Sequence, residues 1–151
     1  MADTRIDPET GKTMTRGVRT MLIQYGSLAR EVEVPGWYPD GDGNAIHSGA
    51  DLKDADEAYA QLRGDYAAHV RDVRKSLKLT QEEAGEIIGG GRRAFNRYER
   101  GIVPPSDAAV GLIEILSKNP KAMDILKSIR RRPANGVIGK SAGRRKERLI
   151  A

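Results

Sequence analysis

The sequence predicts an α+β fold: a small N-terminal domain that contains a β-hairpin, followed by an all-α domain of five short helices. Apolar residues alternate with other residues over 19–34, which is the pattern of a half-buried pair of strands. From residue 51 onward apolar residues recur every three or four positions, as in amphipathic helices. Gly64 interrupts this spacing, and we expect the domain junction there. The predicted parts are residues 1–63, residues 64–129 and a basic, disordered tail over 130–151.

The hairpin is predicted from its turn as well as from its strands. Gly26-Ser27 separates two apolar runs, and a glycine in the first position suits a two-residue type II′ turn. In that register Tyr25 faces Leu28, and one side of the hairpin is apolar, formed by Met21, Ile23, Tyr25, Leu28, Val32 and Val34. Residues 35–44, PGWYPDGDGN, are predicted to form a loop because they are rich in Pro, Gly and Asp.

Capping signals predict where the helices begin. Thr80 and Glu83 have the spacing of a capping box at the start of a helix. Ser106 follows two prolines and predicts another start, and Asn119-Pro120 predicts the start of the last helix. The apolar side of that last helix is expected to be Met123, Leu126 and Ile129.

Composition excludes several classes of protein. The 151 residues include no cysteine and only His47 and His69 as histidines, so disulfides and thiolate or histidine zinc sites are not expected. No window approaches the roughly 18 apolar residues of a membrane span, and no apolar N-terminal segment has the character of a secretory signal. We expect a cytoplasmic protein that has no contact with a membrane.

Positive charge is concentrated at the C-terminus. Residues 130–151 contain eight Lys or Arg residues and one Glu, a net charge of +7, whereas the whole chain carries +5, so residues 1–129 carry −2. A basic segment interrupted by Gly, Pro and Ser is typical of a disordered arm that lies along a polyanion. The alternative is a solubilising tail with no specific partner, and composition is compatible with both.

The segment from Gly89 to Gly101, GGGRRAFNRYERG, combines glycines with basic residues and predicts contact with an anion. A phosphate-binding P-loop needs G-x-x-x-x-G-K-[ST] after a strand, and a dinucleotide site needs G-x-G-x-x-G between a strand and a helix. Here the glycines follow a capped helix, no Lys-Ser or Lys-Thr comes after them, and Ala94 replaces the third fingerprint glycine. A helix, a tight turn and a second helix instead indicate a helix-turn-helix that binds double-stranded DNA.

In such an arrangement Phe95 and Tyr98 face a small core. The outward positions are all hydrogen-bond donors, namely Arg92, Arg93, Asn96 and Arg97. Because arginine can donate two bonds to guanine and asparagine can pair with adenine, these residues are expected to read bases. Gln81, with Thr80 beside it at the start of the preceding helix, is expected to contact phosphate. The alternative is a solvated basic face.

The stretch LTQEEAGEIIGGGRRAFNRYERGIVPPS resembles the Xre/Cro-type helix-turn-helix, and its GGG followed by AFxRYExG resembles the C-terminal domain of MqsA-type antitoxins. The resemblance covers about residues 66–129. It implies DNA contacts at Arg93 and Arg97, with Arg92 and Asn96 flanking them, although the family commonly has asparagine where Arg93 stands. It also implies a homodimer that binds a palindromic operator, for which a helix over 120–129 is a candidate seam.

MqsA-type antitoxins also carry an N-terminal zinc-binding domain with CPxCG and CxxCG motifs around a β-hairpin. The corresponding segments here are DPETG, residues 7–11, and PDGDG, residues 39–43. The four ligand positions therefore hold Asp7, Thr10, Pro39 and Asp42, and no thiolate remains. We expect a zinc-free relic of that domain, without any metal or other cofactor, held by the apolar face of the hairpin and by Trp37.

Residue spacing does not support a calcium site or an active site. Part of a calcium loop is matched by Asp40, Asp42, Asn44 and Asp51, but Ala45 stands where the loop needs glycine, and a solvated turn is the better interpretation. No nucleophile, base and orienting group have a spacing that suggests catalysis. We expect that the chain is not an enzyme.

Two functional hypotheses remain. The resemblance implies the antitoxin of a type II toxin–antitoxin pair, in which residues 1–63 neutralise a cognate toxin, expected to be a small ribonuclease, and residues 64–129 repress its own promoter. The alternative is a stand-alone Xre-type repressor whose N-terminal domain senses a ligand or only dimerises. The neighbouring reading frame separates them, because a short basic protein encoded there favours the first.

Overall fold

The computed structural model describes residues 3–130 and has the predicted α+β architecture. An antiparallel sheet comes first and contains, in spatial order, β1 (Thr4–Ile6), β2 (Thr13–Tyr25) and β3 (Leu28–Pro39). Five helices follow, α1 (Lys53–Ser76), α2 (Gln81–Ile87), α3 (Ala94–Glu99), α4 (Asp107–Lys118) and α5 (Met123–Arg130), with a single 3-10 turn, Pro120–Ala122, before α5. The tail predicted for 130–151 lies outside the described residues except for Arg130.

The hairpin has the predicted register but is longer than predicted. Tyr25 pairs with Leu28 and Met21 pairs with Val32. Gly26 has a φ of +59° whereas Ser27 does not have a positive φ, as a type II′ turn requires. The sequence did not predict β1, because three residues are too few to show an alternating pattern.

The predicted loop over residues 35–44 was wrong for its first five residues, which continue strand β3. Counted from the hydrogen-bonded pair beside the turn, Pro35 and Pro39 both fall at positions whose backbone nitrogen faces away from β2. β3 is an edge strand, so a missing N–H at these positions removes no bond from the sheet. Trp37, between the two prolines, uses the same outer edge to exchange two backbone hydrogen bonds of 2.9 Å with Ile46.

Helix α1 continues through Gly64, so the interruption predicted at that residue was wrong. A glycine costs a helix about 1 kcal/mol relative to alanine. Packing on either side outweighs this cost, because Leu62 and Tyr66 are 4% and 1% exposed. The division into domains near Gly64 stays a prediction, without a break in secondary structure to mark it.

One hydrophobic core connects the sheet with the helices. The apolar face of the hairpin packs on α1, and Tyr25 belongs to the same buried cluster as Tyr66, Phe95 and Ile113. Coverage of that face is incomplete, since Met21 remains 38% exposed.

The last helix differs from its prediction in two respects. The side chain of Asn119 makes no capping hydrogen bond, and Pro120 begins a 3-10 turn rather than α5 itself. Met123 is buried as predicted, but Ile129 is 50% exposed, so its prediction as a core residue was wrong. None of the helices among residues 3–130 is long and apolar enough to cross a membrane.

Candidate nucleic-acid interface

Helix α2 begins with the predicted capping box. The Thr80 hydroxyl accepts a hydrogen bond of 3.1 Å from the Glu83 N–H, and the Glu83 carboxylate accepts one of 3.3 Å from the Thr80 N–H. Since a hydroxyl that accepts a bond still has its own proton, exposed Thr80 can also donate to an anion. Gln81, half-buried, is the first residue of the helix.

Three glycines form the turn that joins α2 to α3. Gly89, Gly90 and Gly91 have φ values of +132°, +93° and +90°, a backbone region that side chains other than glycine rarely adopt. The turn folds back on α2, where the Gly91 N–H donates to the Gly85 carbonyl at 3.2 Å. A Cβ on Gly85 would lie 2.0 Å from the Gly91 oxygen, so this turn also requires a glycine inside α2.

Helix α3 has the predicted buried and exposed sides. Phe95 and Tyr98 are 1% and 8% exposed, and their rings meet edge to face at 5.5 Å. Asn96 and Arg97 are exposed on the other side. The amide of Asn96 donates to the side chain of Gln81 at 3.3 Å, so the two predicted contact residues from α2 and α3 are brought together.

The two arginines before α3 have different surroundings. Arg93 is the residue that precedes the first helical residue, and it is exposed. Arg92 lies in the turn and binds the Glu82 carboxylate at 2.8 Å, with Glu86 at 3.8 Å. The bond to Glu82 raises the pKa of Arg92. In the described part of the chain neither Arg93 nor Arg97 is in an ion pair.

A buried ion pair behind α3 was missed by the sequence analysis. Glu99, which is 4% exposed, accepts hydrogen bonds from the guanidinium of Arg74 on α1, and Arg71 approaches it to 3.6 Å. Arg74 also donates to the Leu79 carbonyl at 2.9 Å, just before α2. A charged residue between Tyr98 and Gly101 is visible in the sequence, but no local signal identifies a partner 25 residues earlier.

The positions that correspond to the family's zinc ligands are closed by hydrogen bonds within the turn. Asp7, Thr10 and Pro39 line one pocket, and Asp42 is not part of its lining. The Thr10 hydroxyl donates to Asp7 at 2.6 Å, and the Glu9 N–H donates to the other carboxylate oxygen at 3.0 Å. These bonds lower the pKa of Asp7. No group of three or more metal-ligating side chains occurs within residues 3–130.

The remaining part of the calcium-loop pattern has a structural role. Asp51 is 6% exposed and receives both terminal nitrogens of the Arg16 guanidinium, with a further bond of 2.9 Å from the Ser48 N–H. Trp37, which was expected to help hold this part of the chain, lies between the guanidinium groups of Arg5 and Arg16, at 5.5 and 5.6 Å from its ring centroid.

Comparison with known proteins places these features in a bacterial toxin–antitoxin family. Residues 11–130 match the family described as "Antitoxin component of bacterial toxin-antitoxin system, MqsA". A stretch of 52 residues, 34% of this chain, is 48% identical to Antitoxin MqsA of Escherichia coli (strain K12), and the match spans 40% of that relative's length. The family match covers most of the chain, including β2, β3 and all five helices. The chain belongs to the MqsA antitoxin family, which confirms the resemblance seen in the sequence.

Proposed function

We propose that the chain is the antitoxin of a type II toxin–antitoxin pair that neutralises a cognate toxin and represses its own promoter. Family membership supports the antitoxin role. The observation that carries the DNA-binding part is the exposed group Arg93, Asn96 and Arg97, opposite the buried rings of Phe95 and Tyr98. The protein acts in the cytoplasm, where DNA and a ribonuclease toxin are both present, and no catalytic activity is proposed for it.

In this proposal α2, the glycine turn and α3 form an Xre-type helix-turn-helix, and α3 enters the major groove. Arg93 and Arg97 read base edges, because neither is engaged by a carboxylate among residues 3–130. Asn96 exchanges its bond to Gln81 for a base, and Gln81 and Thr80 then contact phosphate. Arg92 flanks them; its exposed ion pair contributes at most about 1 kcal/mol, so a phosphate oxygen can replace Glu82.

The variant Arg97→Ala tests the DNA-binding part. We expect it to cost about 1–3 kcal/mol of binding free energy and to relax base preference at one position of each half-site. Fluorescence anisotropy with duplexes from the region upstream of its own reading frame measures both quantities. Arg30→Ala, on the sheet, removes the same charge and is the matched control. Unchanged affinity and base preference in Arg97→Ala would show that α3 is not the recognition helix.

A homodimer is proposed through α5. Ile125 and Ile129 are 64% and 50% exposed and, four residues apart, lie on the same side of the helix. A palindromic operator needs two copies related by a two-fold axis, and these isoleucines supply an apolar seam at 120–129. We expect Ile125→Asp to be a monomer in analytical ultracentrifugation, whereas Lys127→Asp, on the opposite side of α5, remains a dimer.

The sheet is the proposed surface for the toxin. β1 ends its pairing with β2 at Thr15, so within the described residues the outward peptide groups of Val18, Thr20 and Leu22 are not paired with a strand. Val18 and Leu22 are each 57% exposed beside this open edge. An open edge with exposed apolar side chains can add an extended segment of a partner.

Co-expression with the product of the neighbouring reading frame tests the toxin partner. We expect the two proteins to co-purify, and Leu22→Asp to abolish this because it places a charge in the apolar contact. Ala108→Asp, exposed on α4, makes the same kind of change away from the sheet and leaves the complex intact. Purification from the native host without a co-eluting protein would count against the pair.

A further inference from the structure

The tip of the hairpin is held by α4 as well as by α1. The Ser27 hydroxyl donates to the Glu114 carboxylate of α4 at 2.8 Å, although 87 residues separate them in sequence. The same carboxylate oxygen lies 2.8 Å from the Nε2 atom of His69 on α1. A single carboxylate therefore joins the turn of the sheet to two helices of the helical part.

Gly26, the other residue of the turn, packs on the face of Tyr66. A Cβ at Gly26 would lie 2.5 Å from three atoms of that ring, so only a glycine lets the turn approach so closely. Tyr66 is 1% exposed, and the ring of Tyr25 lies 6.1 Å from it. The contact between the turn and the helices is thus both polar and closely packed.

The contact continues through the core to α3. Tyr66 belongs to the cluster that contains Ile113 of α4 and Phe95 of α3, and Phe95 is the residue whose burial sets the exposed side of α3. α1 packs on both strands of the hairpin and also on α3 and α4. With 24 residues and about 1.5 Å per residue it is a rod about 36 Å long without a hinge at Gly64.

We propose that the Gly26-Ser27 turn couples the sheet to the DNA-reading helix, so that a ligand on the sheet and DNA on α3 change each other's affinity. This inference rests on the proposed function and adds to it the route of communication. A ligand that moves or stiffens β2 and β3 changes the packing of the turn on Tyr66 and Glu114, and hence the position of α4 and Phe95. By reciprocity, DNA that fixes α3 stabilises the tip of the hairpin.

Reciprocity allows a test that needs no toxin. Amide hydrogen exchange of the Tyr25–Leu28 tip is measured by NMR in the full chain, free and saturated with the upstream duplex. We expect the duplex to slow exchange at the tip by about fivefold or more, the lower end of typical coupling between sites. The amides of Thr4–Ile6, far from the turn along the sheet, are the internal reference and stay unchanged.

The variant Ser27→Ala removes the bond to Glu114 and leaves the His69–Glu114 contact and all predicted DNA contacts in place. We expect it to bind the duplex but to lose most of the slowing of exchange at the tip. Thr20→Ala, an equally small change at an exposed position of β2, keeps the slowing. Glu114→Gln, which leaves the turn itself unaltered, reproduces the loss.

The outcomes distinguish this proposal from the proposed function. Duplex binding with no change in exchange at the tip overturns the coupling and leaves the DNA-binding proposal in place. Slowing that persists undiminished in both Ser27→Ala and Glu114→Gln shows that the turn does not carry it, and also overturns the proposal. Failure of the wild-type chain to bind any upstream duplex overturns both.

Discussion

Glu99 and Arg74 are joined by two parallel hydrogen bonds, 2.9 Å from Nε and 2.8 Å from Nη2 of the arginine, across the contact between α3 and α1. The carboxylate is fully buried and the guanidinium is 13% exposed. Such a pair fixes the rotation of α3 about its own axis, because the carboxylate at its C-terminal end has one position in which both bonds form. The rotation of α3 decides which side chains face outward.

Removing one member of this pair leaves a buried charge without a partner. We expect Glu99→Ala to lower the free energy of unfolding by about 3–5 kcal/mol, measured by urea denaturation. Glu82→Ala, which removes an exposed carboxylate paired with Arg92, should cost no more than about 1 kcal/mol. Equal losses in the two variants would contradict a special role for the buried pair.

Two helical glycines predict opposite effects of the same substitution. Gly64→Ala adds a methyl group into open space within α1 and should raise the free energy of unfolding by about 0.5–1 kcal/mol. Gly85→Ala adds the same group against the Gly91 carbonyl and should lower it by more than about 1 kcal/mol. Thermal or urea denaturation compares them directly. A destabilising Gly64→Ala would indicate that α1 is not continuous in solution.

The Arg16–Asp51 pair predicts a dependence of stability on acid. The Arg16 guanidinium and the Ser48 N–H hold the pKa of Asp51 well below its ordinary value. The folded chain therefore favours the ionised form, and this contribution is complete above the unfolded pKa of about 3.9 and is lost as the pH falls below it.

We accordingly expect the difference in free energy of unfolding between wild type and Asp51→Asn to shrink as the pH is lowered from about 6 to about 2. Asp7, whose pKa is also lowered, is present in both proteins and does not affect the difference. Urea denaturation at several pH values provides the measurement. A difference that is independent of pH would exclude the ion pair as its source.

The basic tail predicts a salt effect without a change in base preference. Deleting residues 131–151 removes seven Lys or Arg residues and leaves the predicted base-reading side chains in place. We expect weaker binding to all duplexes and a smaller slope of log affinity against log salt, by about 0.9 for each phosphate that the tail had neutralised. An unchanged slope, measured by anisotropy over a series of salt concentrations, would favour the solubilising tail.

Features set by neighbouring residues could be predicted from the sequence. The turn type at Gly26-Ser27, the capping box at Thr80 and the buried side of α3 each depend on a few adjacent positions, and all three are found in the structure. The choice of contact residues on α3 used the same local pattern. Their contact with DNA stays a prediction.

Features set by distant residues could not be predicted. Glycine and proline are punctuation in a local reading, but Gly64 is overridden by packing on both sides, and Pro35 is tolerated because β3 is an edge strand. The partners of Arg16 and Ser27 lie 35 and 87 residues away, and no periodicity joins such positions. The relation between the sheet and the helices therefore became visible only in three dimensions.

Trp37 is the chain's only tryptophan, and it lies in the sheet with a guanidinium group on either side of its ring. The helices that are proposed to meet DNA contain none. Its fluorescence is thus a built-in optical signal for one end of the molecule: an event at the sheet that moves Arg5 or Arg16 alters the emission directly. A change in emission caused by DNA alone has to travel the length of the protein.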